Sequence, residues 1–248
     1  YFSGQVVLLD VKGTTATVAI PVGTQSQANA VRRGETAFYS AEHCFQGWLS
    51  CATCHPDTRA DGLNWDLLND GMGNPKNAKS MVWAPRTPPA MSLGVRESAE
   101  AAVDKGFQFI QFSVAGTQTL ADVRAYIQNL EPERSPYLVD GTLSPTAAKG
   151  KKVFESGKTS CAQCHPGPLF TDMKLYDVGT AGALDREQKP FDTPTLIELW
   201  RTAPFLHDGT APTLLDMLTV HNKGDTHGKT SKLSKEELDA LIEYLLSL

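Results

Sequence analysis

The chain has 248 residues and a formal charge of −5, enough length for one large domain or two small ones. The acidic balance argues against nucleic acid as a partner. No apolar run approaches the roughly 20 residues of a membrane-spanning helix. Fifteen prolines and twenty glycines predict a loop-rich chain, and a start at Tyr1 rather than Met suggests a mature form or an excised piece.

Residues 1–25 differ in texture from the rest. Gln5 to Asp10 and Thr14 to Ile20 are β-rich runs, and Lys12-Gly13 between them reads as a hairpin turn. The two runs resemble the strands of a YVTN-type β-propeller repeat. A lone hairpin is marginal in water. Two settings stay open: the tail of a propeller in a longer protein, or an N-terminal hairpin packed on the rest of the chain.

From residue 26 onward the chain shows one plan twice. Arg33-Gly34 to Phe38 and Lys149-Gly150 to Phe154 share a basic-Gly-x-x-x-Phe spacing. Each suits a short amphipathic helix whose glycine admits another helix closely. Each is followed by a Cys-x-x-Cys-His motif, Cys51-Ala-Thr-Cys54-His55 and Cys161-Ala-Gln-Cys164-His165. The spacing has a chemical reason. Two thiols three residues apart can each add to one vinyl group of a porphyrin, and the next histidine then lies under the iron as its proximal ligand. Two matches, each continuing into proline, point to two covalently bound c-type haems. The fifth cysteine, Cys44, has no partner left in the chain and reads as a free, buried thiol. Further on, Arg86 to Gly94 aligns without a gap with Arg201 to Gly209. Late helices are expected over Leu120–Leu130 and Leu238–Leu248, each carrying a tyrosine. Ser234 with Glu237 forms a capping-box match at the start of the second. Glu131-Pro-Glu-Arg-Ser-Pro136 ends the first half, and Ser144-Pro145 opens the second. The expected architecture is mainly α: two cytochrome c-like haem domains related by internal duplication, 26–136 and 137–248, after a β-hairpin over 1–25.

The repeat breaks at the iron. A low-spin electron-transfer haem needs a second axial ligand. Aligning Tyr126 with Tyr244 and Leu130 with Leu248 carries His221 onto Val103, which cannot ligate a metal. Haem two is therefore expected to use His165 and His221, with His227 close enough to compete. Haem one is expected to have His55 and an open distal side, with Met72, Met81 and Met91 as alternative thioether ligands. His43 reads as structural, and His207 as a residue that contacts a haem propionate or orients a ligand.

From Arg33 to Leu248 the chain resembles the dihaem cytochrome c peroxidase superfamily, which includes the MauG-type enzymes. Thr193-Pro-Thr-Leu196, Thr202-Ala-Pro-Phe-Leu-His-Asp-Gly209 and Thr213-Leu-Leu-Asp216 carry the resemblance with the two haem motifs. It implies that one haem accepts electrons while the other reduces hydrogen peroxide. It also implies a calcium ion between them, at positions matching Asn77, Thr202 and Pro204. The family's inter-haem tryptophan is missing from Met91-Ser92-Leu93-Gly94, although Trp83 and Trp200 lie elsewhere in the chain. The family's acid/base glutamate falls near Gln111-Phe112. Glutamine does not exchange a proton at neutral pH, and the nearby acids Glu100 and Asp104 sit on an expected exposed helix face. Two functional classes fit this pattern. One is a peroxidase-like oxidoreductase fed by a redox partner protein. The other is a non-catalytic dihaem electron-transfer module. Covalent haem attachment places either outside the cytoplasm, in the periplasm or at the cell surface.

Overall fold

The computed structural model describes residues 4–10, 16–23, 28–67, 73–185 and 190–248. Strands β1 (Gln5–Leu9) and β2 (Ala16–Pro21) pair antiparallel with an irregularity at Leu8/Leu9. The Lys12-Gly13 turn lies outside the described residues. No side chain of β1 is buried, and Leu9 and Ile20 are 63% and 47% exposed. The expectation of a hairpin packed on the helices therefore fails: its apolar side chains are exposed on both faces.

The remaining architecture is helical, built on two crossings of the same kind. Helix α1 (Ala30–Tyr39) is capped by Asn29 and follows the short amphipathic pattern. It is followed by α2 (Cys51–Cys54), α3 (Ala99–Phe109) and α4 (Thr117–Gln128). The second half runs through α5 (Pro145–Phe154), α6 (Cys161–Cys164), α7 (Leu214–Thr219) and α8 (Lys235–Leu246). Ser144 caps α5 with Pro145 in its first turn. The expected capping box at Ser234 and Glu237 is formed at α8.

Helix α1 crosses α4, and α5 crosses α8. A Cβ on Gly34 would lie 1.8 Å from the Asp122 carbonyl oxygen, and one on Gly150 would lie 1.8 Å from that of Ala240. Only a glycine permits backbones this close. One turn on, Phe38 meets Tyr126 edge-to-face at 5.5 Å, and Phe154 meets Tyr244 at 5.4 Å, both at 61°. These aromatic pairs lock each crossing.

Each crossing has its own apolar cluster. One contains Ala37, Phe107, Val123 and Ile127; the other contains Phe154, Leu214, Leu218, Leu241 and Tyr244. The halves meet through polar links instead. Lys76 and Asn74 reach Asp185, and Lys79 reaches Asp192. Arg59 forks onto Glu198, and Arg201 pairs with Glu133. Short antiparallel pairs, Asn64–Trp65 with Lys76–Asn77 and Leu175–Tyr176 with Phe191–Asp192, pin the loops that hold several of these links.

Candidate functional site: two cysteine-histidine pockets

Both Cys-x-x-Cys segments form a single helical turn, which sets the two thiols on one side of it. At α2 the turn is held by reciprocal bonds between Ser50 and Thr53. At α6 it is entered through Ser160 in a left-handed conformation. The following histidines close the turns identically: His55 N–H donates to Cys51 O, and His165 N–H to Cys161 O, both at 3.0 Å. None of the five cysteines is in a disulfide. Burial pushes the Cys51 thiol up to about 12 and that of Cys54 to about 11, and it raises Cys161 and Cys164 as well. The thiols are thus neutral and unpaired at neutral pH.

The proximal rings are oriented by the backbone. Nδ1 of His55 lies 3.0 Å from Arg59 O, and Nδ1 of His165 lies 2.9 Å from Phe170 O. A carbonyl only accepts, so each Nδ1 carries the proton and each Nε2 keeps a free lone pair. Burial holds both imidazoles below their usual pKa. A neutral ring with an unprotonated Nε2 is what an iron ligand requires.

The distal sides differ. Across from His165 stands His227, with ring centroids 6.4 Å apart and planes at 37°. That separation would admit one metal ion held by both rings, at bonds of about 2 Å each. Burial, then the neighbouring His165, lowers the His227 pKa to about 4, and its buried Nδ1 has no partner. The structure places His227 rather than His221 in this position. His221 is part-exposed in the loop after α7, where its N–H donates to Asp216 O at 3.0 Å. Helices α3 and α7 both start from a hydroxyl cap, Ser98 and Thr213, so the spacing between the halves differs there from that of the late helices.

No second imidazole makes ring contact with His55 among the described residues; His43 faces Phe107 instead. The segment beside the haem-one cysteines holds Gln111, whose Nε2 lies 3.6 Å from Cys51 Sγ. Its side chain is only 2% exposed, and its Oε1 has no partner. In the second half Gly228 takes the matching place beside Cys161. Next to Gln111, Phe112 joins Phe45, Gln46 and Trp48 around a cavity of about 600 Å³. Its three exposed aromatic side chains form an apolar surface of the kind a porphyrin would cover. Trp48 alone is 67% exposed. The residues present therefore fit two haems.

The other expected residues have partners of their own. Glu100 accepts from Gln128 on α4. Burial pushes its carboxyl up, but hydrogen bonds from its own N–H, Gln128 and Ser98 outweigh that and hold it below the usual range. It is an ionised acceptor bridging two helices, and Asp104 pairs with Arg124. Met81 packs against the first apolar cluster, Met91 accepts from the Gly94 N–H in a tight turn, and Met72 lies outside the described residues. Cys44 is buried, as expected. His207 bonds Asp185 through Nε2 at 2.9 Å and stacks on Phe191 at 3.8 Å, with Nδ1 orphaned. Trp83 is covered by the Arg86 guanidinium, and Trp200 is half-buried with an unpartnered Nε1. Asn77 and the Thr202–Pro204 segment converge on Gly209, whose Cβ would meet Asn77 Nδ2 at 2.7 Å and Pro204 Cγ at 3.1 Å. Among the described residues no group of three His, Cys, Asp or Glu is arranged to hold a metal ion. A cation at Asn77 would rest on neutral oxygens. Arg59 and Glu198, 139 residues apart, carried no signal in the sequence.

Paired thiols, inward-facing neutral imidazoles and helix crossings of this kind define a dihaem c-type cytochrome. Comparison with known proteins points the same way. The cytochrome c family matches residues 147–248. The chain is 32% identical to the hydrazine synthase subunit gamma of Kuenenia stuttgartiensis, over 90% of this chain and 78% of that one. A chain of the solved K. stuttgartiensis hydrazine synthase superposes with a TM-score of 0.81 at 29% identity, covering 99% of this chain and 100% of that one. Cytochrome-c peroxidase IdrP1 of Denitromonas iodatirespirans is 23% identical, over 95% of this chain and 85% of its own. MauG of Methylophilus methylotrophus is 24% identical, over 87% and 81%. The chain belongs to the dihaem cytochrome c peroxidase and MauG superfamily. It is a dihaem cytochrome c related to peroxidases. No helix among the described residues is long and apolar enough to cross a membrane.

Proposed function

We propose that this chain is a peroxidase-like oxidoreductase in which the second half, 137–248, receives electrons and the first half, 26–136, delivers them to a small oxidant such as hydrogen peroxide. In this reading the two halves are cytochrome c-like domains of duplicated origin. The matched glycine crossings at Gly34 and Gly150 support that. Haem c, when bound, supplies one-electron transfer at a doubly ligated site and small-molecule reduction at a site with an open face. Cys161, Cys164 and His165 would hold haem two, with His227 as distal ligand in place of the expected His221. Cys51, Cys54 and His55 would hold haem one.

The observation that carries the reading is the distal asymmetry: His227 stands 6.4 Å from His165, while the buried amide of Gln111 lies beside Cys51. Gln111 donates and accepts hydrogen bonds, so it can orient an incoming oxidant, but it does not transfer a proton at neutral pH. Protons would come from water through the exposed aromatic rim. An electron paramagnetic resonance spectrum of the oxidised protein tests the reading. One low-spin and one high-spin ferric signal are expected. Two low-spin signals would sink it.

The same observation limits the chemistry. With Gln111 and no carboxylic acid in place, O–O cleavage lacks the help of a positioned acid, which is worth roughly 10²- to 10⁴-fold. The relative's name, a subunit, favours action within an assembly with a redox partner protein. The exposed hairpin supports membership of a longer, propeller-bearing protein. Thioether attachment supports a periplasmic or cell-surface location. Calcium at Asn77, Thr202 and Pro204 belongs to this reading too. Chelation should perturb the haem spectra if it is present.

A further inference from the structure

The two proximal histidines look alike at their first hydrogen bond and differ at the next. Phe170, which accepts from His165, belongs to the same half, and its ring packs on Phe154 at 6.2 Å. Arg59, which accepts from His55, is held by the other half. Its Nε and one terminal nitrogen donate to the two carboxylate oxygens of Glu198 at 2.9 and 2.6 Å. Its other terminal nitrogen donates to Asp57 O at 2.9 Å. A two-pronged guanidinium–carboxylate pair fixes orientation as well as distance.

Glu198 is itself tightly held. It is 0% exposed, and its backbone is left-handed, with φ +59°. The Glu133 N–H donates to its carboxylate at 2.5 Å, and its own N–H donates to Leu248 O at 3.2 Å. The linker between the halves and the C-terminus of the chain thus both converge on this residue. A buried charge with so many partners is costly to assemble and rigid once assembled.

We propose that the Arg59–Glu198 pair is a positioning device for His55, through which the second half of the chain sets the electronic properties of the haem-one iron. The inference rests on His55 being that haem's proximal ligand. The Arg59 carbonyl cannot drift while its side chain is forked onto Glu198. The Nδ1–H bond of His55 is therefore held in place at 3.0 Å, which keeps the ligand basic. The Glu198 carboxylate also neutralises the guanidinium of Arg59, the residue whose carbonyl holds that ligand. Both effects favour the ferric state at haem one. Phe170, the acceptor behind His165, carries no charged side chain, so haem two should be insensitive to the pair.

Glu198→Gln and Arg59→Lys test this in the haem-loaded protein. The readouts are the ferrous iron–histidine stretching frequency by resonance Raman and the two midpoint potentials by spectroelectrochemical titration. Glu198→Gln should raise the haem-one potential and lower its iron–histidine frequency, leaving haem two at wild-type values. Arg59→Lys keeps the charge balance but loses the fork, so the frequency should fall while the potential moves less. If Glu198→Gln does not fold, Arg59→Lys carries the test. Wild-type frequency and potential in a variant that only melts earlier would overturn the proposal, as would equal shifts at both haems. A pyridine haemochrome assay showing no haem on Cys51 and Cys54 would instead remove the reading beneath it.

Discussion

The pockets around His55 and His165 are built from the same parts and finished differently. In both, one helical turn presents two thiols, the histidine closes that turn, and a backbone carbonyl fixes its Nδ1 proton. Beside His165 stands a second imidazole, and beside Cys51 a neutral amide. On the proximal side one carbonyl is held within its own half and the other by an ion pair from across the molecule. The matching parts are local turns and helix crossings, and the differing parts lie in the loops around them.

The largest expected effect breaks the comparison at its distal end. His227→Ala should abolish the low-spin signal of haem two and turn it high-spin, whereas His221→Ala should leave the spectrum unchanged. The opposite result would return the ligand to His221. Next, Gln111→Glu puts a carboxyl where the amide now lies buried. Peroxide reduction should rise roughly 10²-fold, the lower end of what a positioned acid supplies, as measured by steady-state turnover with a reduced donor. No gain would mean that Gln111 does not face the reacting oxidant.

A smaller effect separates the halves by stability. Gly34→Ala and Gly150→Ala each push a methyl group into a carbonyl oxygen. Each should cost about 1–3 kcal/mol by overpacking. Because the two apolar clusters share no residues, melting followed at each haem should move chiefly for the half that carries the substitution. The smallest effect concerns the polar seam. Burial alone would raise the Asp185 carboxyl, but hydrogen bonds from Lys76, the Gly182 N–H and His207 hold it at about 2. A carboxyl depressed on folding stabilises the protein above its unfolded value and loses that contribution as pH falls towards the folded one. Stability should therefore decline between pH 3.8 and about 2. Asp185→Asn should lower stability at neutral pH and flatten that acid step in a denaturation series.

Much of this was legible in the chain. Cys-x-x-Cys-His spacing, the Gly-x-x-x-Phe pattern and the Ser234–Glu237 cap are local signals, and each formed the element expected of it. The residue opposite His165 was only partly legible: the sequence put His221 first with His227 as its competitor, and the path of the loop brings His227 to that ring. The packing of the hairpin was left open by its sequence. Its exposed apolar side chains exclude the packed alternative.

The amino-acid sequence by itself determined the two Cys-x-x-Cys-His turns and the glycine-bearing helices beside them, since turn geometry and helical periodicity act over a few residues. Only the tertiary structure decided which imidazole faces His165 and what holds the carbonyl behind His55. The first depends on the path of a loop pinned by Asn222, Asp225 and Thr230. The second depends on two charges 139 residues apart that meet because the halves pack together. Neither is encoded in spacing along the chain. Both arise from the requirement that buried polar groups find partners wherever the fold brings them.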